Sequence, residues 1–207
     1  MAANLKKLFT IPNMISMARV AMIPVFVWAF YAGHEILALV VVIVSGISDK
    51  LDGVIARKYN MISETGKWLD PMADKFTQMA LALMMFFRFY RSADGLMRFT
   101  GWVFLGFIAK EVVMLLFALT MLLLHKRPIA AEIWGKIATT VFYVVMGLLL
   151  LLGPDVGILA KHYDGLAMWP WLAAALVAAN LVLMVIAFLS YIPDTYRILI
   201  KGEDGKE

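Results

Sequence analysis

Cysteine is absent from the 207-residue chain, which excludes disulfides, thiolate metal ligands and thiol nucleophiles. Charge is scarce too: Asp, Glu, Lys and Arg make up 16% of the residues against 63% hydrophobic, and the mean hydropathy is +0.83. A soluble domain carries roughly 45–50% apolar residues, so the composition describes an integral membrane protein instead. No basic patch interleaved with aromatics occurs, and nucleic acid is not expected as a partner. Low-complexity tracts, long linkers and internal repeats are also missing, which leaves one domain as the simple organisation. The histidines His34, His125 and His162 all fall in turns, away from the aspartates at 49–74.

What is present is a series of apolar stretches at about 14–31, 35–56, 67–88, 99–124, 133–152 and 168–192. Each is near the ~20 residues a spanning helix needs. Backbone in lipid must pair its own polar groups, so the expected fold is all-α with six transmembrane helices. Turn chemistry separates them at "YAGHE", "RKYNMISETG", "RSADG", "HKRP", "GPDVG" and "YIPDT". Residues 1–11, with Leu5, Leu8 and Phe9 beside Lys6 and Lys7, are expected to lie in the membrane interface as an amphipathic segment. The apolar run that follows lacks a small-residue cleavage site and is taken as a retained helix. The six-helix domain then covers 12–195 and a tail covers 196–207. Lys6, Lys7, Arg57, Lys58, Lys67, Lys126, Arg127, Lys136, Arg197, Lys201 and Lys206 fall on one side; Arg88, Arg91, Arg98 and Lys161 fall on the other. That bias puts both termini in the cytoplasm.

The stretch "DKLDGVIARKYNMISETGKWLDPMAD" concentrates carboxylates where they are costly. Asp49 and Asp52 are three apart at the end of the second segment, and Asp70 and Asp74 are four apart at the start of the third. Each pair therefore shares a helix face. A short turn makes these helices antiparallel neighbours, which lets the pairs face each other. Like charges so gathered and desolvated are prohibitive without a cation between them. An oxygen-only donor set, with no histidine or cysteine nearby, suits Mg²⁺ or Mn²⁺ and not zinc. Two ions would fit in-line displacement at phosphorus. Gly53, Ala56 and Gly66 share the acids' faces and leave a hollow, Arg57 offers a bidentate phosphate donor, and Ser63 and Thr65 offer hydroxyls. Simple solvation of helix ends, with Asp49 paired to Lys50 or Lys58, is the bland alternative. A cation carrier or channel would also use intramembrane acids, but it explains neither the glycines nor Arg57.

The pattern D-x-x-D-G-x-x-A-R, eight residues, then G-x-x-x-D-x-x-x-D is met without a gap by Asp49, Asp52, Gly53, Ala56, Arg57, Gly66, Asp70 and Asp74. With "IPNMISMARV" opening the first helix, the sequence resembles the CDP-alcohol phosphatidyltransferase family over nearly its whole length. The resemblance implies transfer of a phosphatidyl group from CDP-diacylglycerol to an alcohol with release of CMP. It implies that Asp49, Asp52, Asp70 and Asp74 hold the metals and that Asp74 is also the general base on the acceptor hydroxyl. Pro12, Asn13, Met14 and Ile15, together with Gly53, Ala56, Arg57, Ser63 and Gly66, would surround CDP-diacylglycerol. It further implies a homodimer in a bacterial cell membrane, with the site at the cytoplasmic boundary.

Acceptor choice is expected on the later helices. Lys110 in "FIAKEVV" and Lys136 and Thr139 in "WGKIATT" would form a cationic pocket for a phosphorylated acceptor, unless Lys136 merely snorkels or Lys110 partners an acid. The residues around the acids are most similar to those of bacterial phosphatidylglycerophosphate synthases, which implies glycerol 3-phosphate. Lysine at 110, where those enzymes usually carry arginine, and alanine at 138, where they carry a second lysine, depart from that pattern. Phosphatidylglycerol, the acceptor of the related cardiolipin synthases, is the rival. Asn180 in the sixth segment is expected to bond to a neighbouring helix.

Overall fold

The structure, a computed structural model, describes residues 10–59, 66–124, 133–163 and 165–200. Six long helices occupy the six predicted stretches: α1 (Ile11–Tyr31), α2 (Glu35–Lys58), α3 (Gly66–Tyr90), α4 (Gly95–Leu123), α5 (Ile133–Leu152) and α7 (Pro170–Ile200). A single short turn of helix, α6 (Ile158–His162), precedes the last of them. No strand occurs among the described residues. The interfacial segment expected at 1–11 falls almost entirely outside them.

Among the described residues four helices are long and apolar enough to cross a membrane: Ile11–Tyr31, Gly95–Met121, Ile133–Leu152 and Pro170–Pro193. The expectation was six. The difference lies with α2, whose apolar run covers only Glu35–Ser48 before the first aspartate, and with α3, which opens on Lys67, Asp70, Asp74 and Lys75. Their charge dilutes the apolar character of helices that are otherwise long enough.

Local sequence sets most of the helix ends. Thr10 caps α1 by accepting from the Asn13 N–H at 3.4 Å, with Pro12 in the first turn. The α1–α2 turn needs Gly33, which sits at φ +78°. Asp94 caps α4, accepting from the Met97 N–H at 2.9 Å, and Pro170 opens α7. Two prolines lie inside helices, Pro24 in α1 and Pro193 in α7. The turn expected at "YIPDT" is therefore absent, and α7 continues to Ile200. The missing N–H of a proline breaks one rung, which a well-packed helix can tolerate.

The chain divides into two compact units, Met1–Met84 and Met85–Glu207, with the division inside α3. In the first, α1 packs on α2, and fully buried Ala29 and Ala38 mark the small residues of this hairpin. Phe26, Val42 and Leu81 are among the other buried apolar residues of this unit. In the second, α7 packs against both α4 and α5. A chain of rings links the end of α3 to α4 and α5, with Phe89–Phe104 at 5.9 Å, Phe104–Phe107 at 5.7 Å and Phe107–Phe142 at 5.7 Å. A polar knot ties its turns: Arg88 donates to the Asp155 carbonyl through Nε and Nη2 at 3.0 and 2.8 Å, and the Ser92 hydroxyl donates to Asp155 Oδ2 at 2.5 Å.

Where α4 meets the end of α3, a Cβ on Gly101 would lie 3.0 Å from the Tyr90 backbone nitrogen, whereas a Cβ on Gly147 of α5 would meet nothing within 4 Å. Gly101→Ala should therefore cost about 1–3 kcal/mol through forced backbone shift. Gly147→Ala should be neutral or stabilising by up to about 1 kcal/mol. Thermal unfolding in detergent compares them, and the opposite order would contradict the close approach at Gly101.

Candidate active site

The acid-bearing stretch is helical on both sides of the connection between α2 and α3. α2 runs unbroken through Lys58 and α3 begins at Gly66. The helical backbone on which the three- and four-residue spacings were argued is thus present on both sides. The side chains of Asp49, Asp52, Gly53, Ala56, Arg57 and Asp70 lie outside the described residues, as does the whole of Ser63. Among the described residues no three of His, Cys, Asp and Glu gather.

Asp74 is half-buried. Gln78, one turn later and 1% exposed, donates from Nε2 to Asp74 Oδ2 at 2.6 Å. The Lys75 ammonium stands 3.6 Å from the same oxygen. Thr77, on the other hand, turns its hydroxyl back to the Ala73 carbonyl at 2.9 Å.

Within the first unit α1, α2 and α3 converge on a cavity of about 10 Å³ lined by Arg19, Phe26, Val42, Ser45, Thr77 and Leu81, among others. That is about the size of one water, and the Ser45 hydroxyl has no hydrogen-bond partner among the described residues. Ser45 precedes Asp49 by one helical turn, and Thr77 follows Asp74 by three residues. The shared cavity thus brings α2 and α3 side by side next to the turns that carry the acids.

α1 contributes a buried polar stripe. Asn13, Ser16 and Arg19, three residues apart, are 1%, 2% and 0% exposed, and farther along the same helix the buried positions become Phe26 and Ala29. Of the expected lipid contacts on α1, Pro12 and Asn13 are buried, Ile15 is half-buried and Met14 is exposed. Ser16 donates its hydroxyl to the Pro12 carbonyl at 3.2 Å, which fixes the first turn. Gly66, also expected at the CDP end, is half-buried at the start of α3.

The expected acceptor residues belong to the second unit. The Lys110 ammonium lies 2.5 Å from Glu111 Oε1, and Glu111 is 1% exposed. The structure thus gives Lys110 the acidic partner that the sequence left open. Lys136 is exposed near the start of α5 and Thr139, one turn on, is half-buried. Asn180 of α7 is 1% exposed, but neither side-chain polar atom has a hydrogen-bond partner among the described residues, contrary to the expected interhelical bond.

Sequence reasoning passed over two residues. Arg19 stands alone in the apolar run "ISMARVAMIP", and an ionisable residue there is itself a signal of function or buried pairing. Gln78, in "DKFTQMALAL", is a lone amide whose distance of four from Asp74 was readable.

Residues 9–192 match the sequence profile of CDP-alcohol phosphatidyltransferases. The chain belongs to the CDP-alcohol phosphatidyltransferase family. It is 32% identical over 168 residues to a protein of Escherichia coli named CDP-diacylglycerol--glycerol-3-phosphate 3-phosphatidyltransferase, which is 78% of this chain and 85% of that one. A protein of the same name from Pectobacterium atrosepticum is 32% identical over 139 residues, 64% of this chain and 71% of the relative. A cardiolipin synthase (CMP-forming) of Streptomyces coelicolor is 45% identical over 75 residues, a match spanning only 33% of this chain and 35% of that protein. The protein is therefore a membrane-embedded phosphatidyltransferase enzyme of phospholipid biosynthesis.

Arg19 is a fully buried cation with a bonding or electrostatic partner. Replacing it by methionine would strand its partners, at a cost of about 3–5 kcal/mol. The expected result is a large drop in thermal stability of the detergent-solubilised protein, and an unchanged melting temperature would show that Arg19 is not so paired.

Proposed function

We propose that this phosphatidyltransferase moves the phosphatidyl group of CDP-diacylglycerol to glycerol 3-phosphate, giving phosphatidylglycerol phosphate and CMP. The observation that carries this reading is Asp74, a half-buried carboxylate at the fourth acid of the motif, tethered to Gln78. The reaction named for the relatives that match most of the chain supports it. As the acceptor oxygen bonds to the phosphatidyl phosphorus, Asp74 takes the hydroxyl proton. The bond from that phosphorus to the bridging oxygen breaks, and CMP leaves with the electron pair.

The four aspartates supply only hard oxygen donors, which fits Mg²⁺ or Mn²⁺. Asp49, Asp52, Asp70 and Asp74 would hold two such ions, which when bound neutralise charge on the pyrophosphate and on departing CMP. Arg57, Gly53, Ala56, Ser63 and Gly66 would receive the CDP portion, with Pro12–Ile15 closing over it from α1. The acyl chains stay in the bilayer. In this reading all six long helices span the membrane between an interfacial segment at 1–11 and a tail at 196–207. Both termini and the site face the cytoplasm, and the enzyme works as a homodimer.

Phosphatidylglycerol as acceptor, giving cardiolipin, is a second reading. Lys110 is already matched by Glu111, which lowers the net positive charge available for a free phosphate monoester. The 45% identical stretch shared with a cardiolipin synthase points the same way.

Purified enzyme given CDP-diacylglycerol and an acceptor panel of glycerol 3-phosphate, phosphatidylglycerol, inositol phosphate and serine separates these readings by CMP release. Glycerol 3-phosphate should be used best, EDTA should abolish turnover, and Asp74→Asn should lower kcat by about 10²–10⁴. Full activity in EDTA would remove the metal-dependent mechanism, and preference for phosphatidylglycerol would reassign the acceptor.

A further inference from the structure

Gln78 is a long polar side chain in the interior of the first unit, 1% exposed, and its Oε1 has no hydrogen-bond partner among the described residues. An amide half-paired away from water is unfavourable. For stability alone, methionine or leucine would serve better in a helix whose neighbouring buried positions include Leu81 and Ala82. The other half of the amide donates to Asp74 Oδ2 at 2.6 Å. A Gln–Asp pair one turn apart on a helix surface is ordinary and worth little. Here the donor is sealed in the interior and the acceptor is only half-buried, so the bond runs from a fixed point in the packing to a group near the protein's polar end.

We infer that Gln78 is a positioning residue for Asp74: its buried amide holds Oδ2 and thereby sets the plane of the carboxylate. The inference rests on Asp74 being the base proposed above. A free aspartate turns readily about its last torsion, whose well is broad. A donor on one oxygen narrows that range, and Lys75, 3.6 Å from the same oxygen, bears on the same side of the group. A base must meet its proton within hydrogen-bond reach, and loss of orientation is felt in turnover before it is felt in binding. Thr77 does not share the role, because its hydroxyl is spent on the Ala73 carbonyl.

The test is Gln78→Met, which keeps the length of the side chain and removes the donor, alongside Asp74→Asn and the double variant. For Gln78→Met, kcat should fall about tenfold or more, and KM for CDP-diacylglycerol should stay within about two-fold. The melting temperature should hold or rise, because the orphaned amide oxygen is gone. In the Asp74→Asn background the same change should cause no further loss, the sign of two residues acting as one unit. Unchanged kcat in Gln78→Met overturns the inference, as does a loss of kcat accompanied by a lower melting temperature, which would mark a packing role. If Asp74→Asn itself retains full CMP release, the proposed base is wrong, a failure distinct from that of Gln78.

Discussion

Polar groups removed from water must find partners, and in an apolar helix bundle each must find them within a turn or two. That constraint orders the first unit. Among the described residues its buried polar side chains are Asn13, Ser16 and Arg19 on α1, Ser45 on α2 and Thr77 and Gln78 on α3, and Gln78 reaches the half-buried Asp74. Past them, the buried positions are Phe26, Ala29, Ala38 and Leu81. The hairpin of α1 and α2 is thus apolar near the turn that joins its helices and carries its buried polar residues away from that turn. Local pairing handles part of the cost: Ser16 and Thr77 turn their hydroxyls to carbonyls one helical turn back. Gln78 instead reaches toward Asp74, and the departure from the local solution is what singles it out.

The second unit meets the same constraint differently. Glu111, the one fully buried acid among its described residues, takes a cation from the adjacent residue, so the pair adds little net charge to the interior. Arg88 spends two N–H groups on the Asp155 carbonyl, and Arg98 donates to the Ser92 carbonyl. These arginines weakened the charge asymmetry used to orient the chain, and in the structure they serve as fasteners for turns. Its helices α4, α5 and α7 pack through aromatic and aliphatic side chains.

Much of this was legible in the sequence because two periodicities dominate it. The length of a membrane crossing placed the six long helices to within a few residues at every end but the last, where α7 runs on from 192 to Ile200, and the helical repeat is what makes the three- and four-residue spacings of the aspartates readable. What escaped depends on tertiary packing. Pro193 reads as a stop in "YIPDT", but α7 passes through it. Asn180 reads as interhelical glue and is left without a hydrogen bond among the described residues. Lys110 reads as a ligand for phosphate, and only coordinates reveal how closely Glu111 is drawn onto it. Gln78 carries no motif of its own, and its burial together with its reach to Asp74 had to be seen in three dimensions.

Pro24 sits midway along α1, between the polar positions 13–19 and the apolar positions 26 and 29. Because its ring nitrogen carries no hydrogen, the carbonyl of Val20 loses the rung it would otherwise receive from that position. α1 is thus a rod with a notch between two buried stretches, Asn13, Ser16 and Arg19 before it and Phe26 and Ala29 after it. Bending stress in this helix concentrates at the notch, so a change in the direction of its axis would be taken up there and not within either buried stretch.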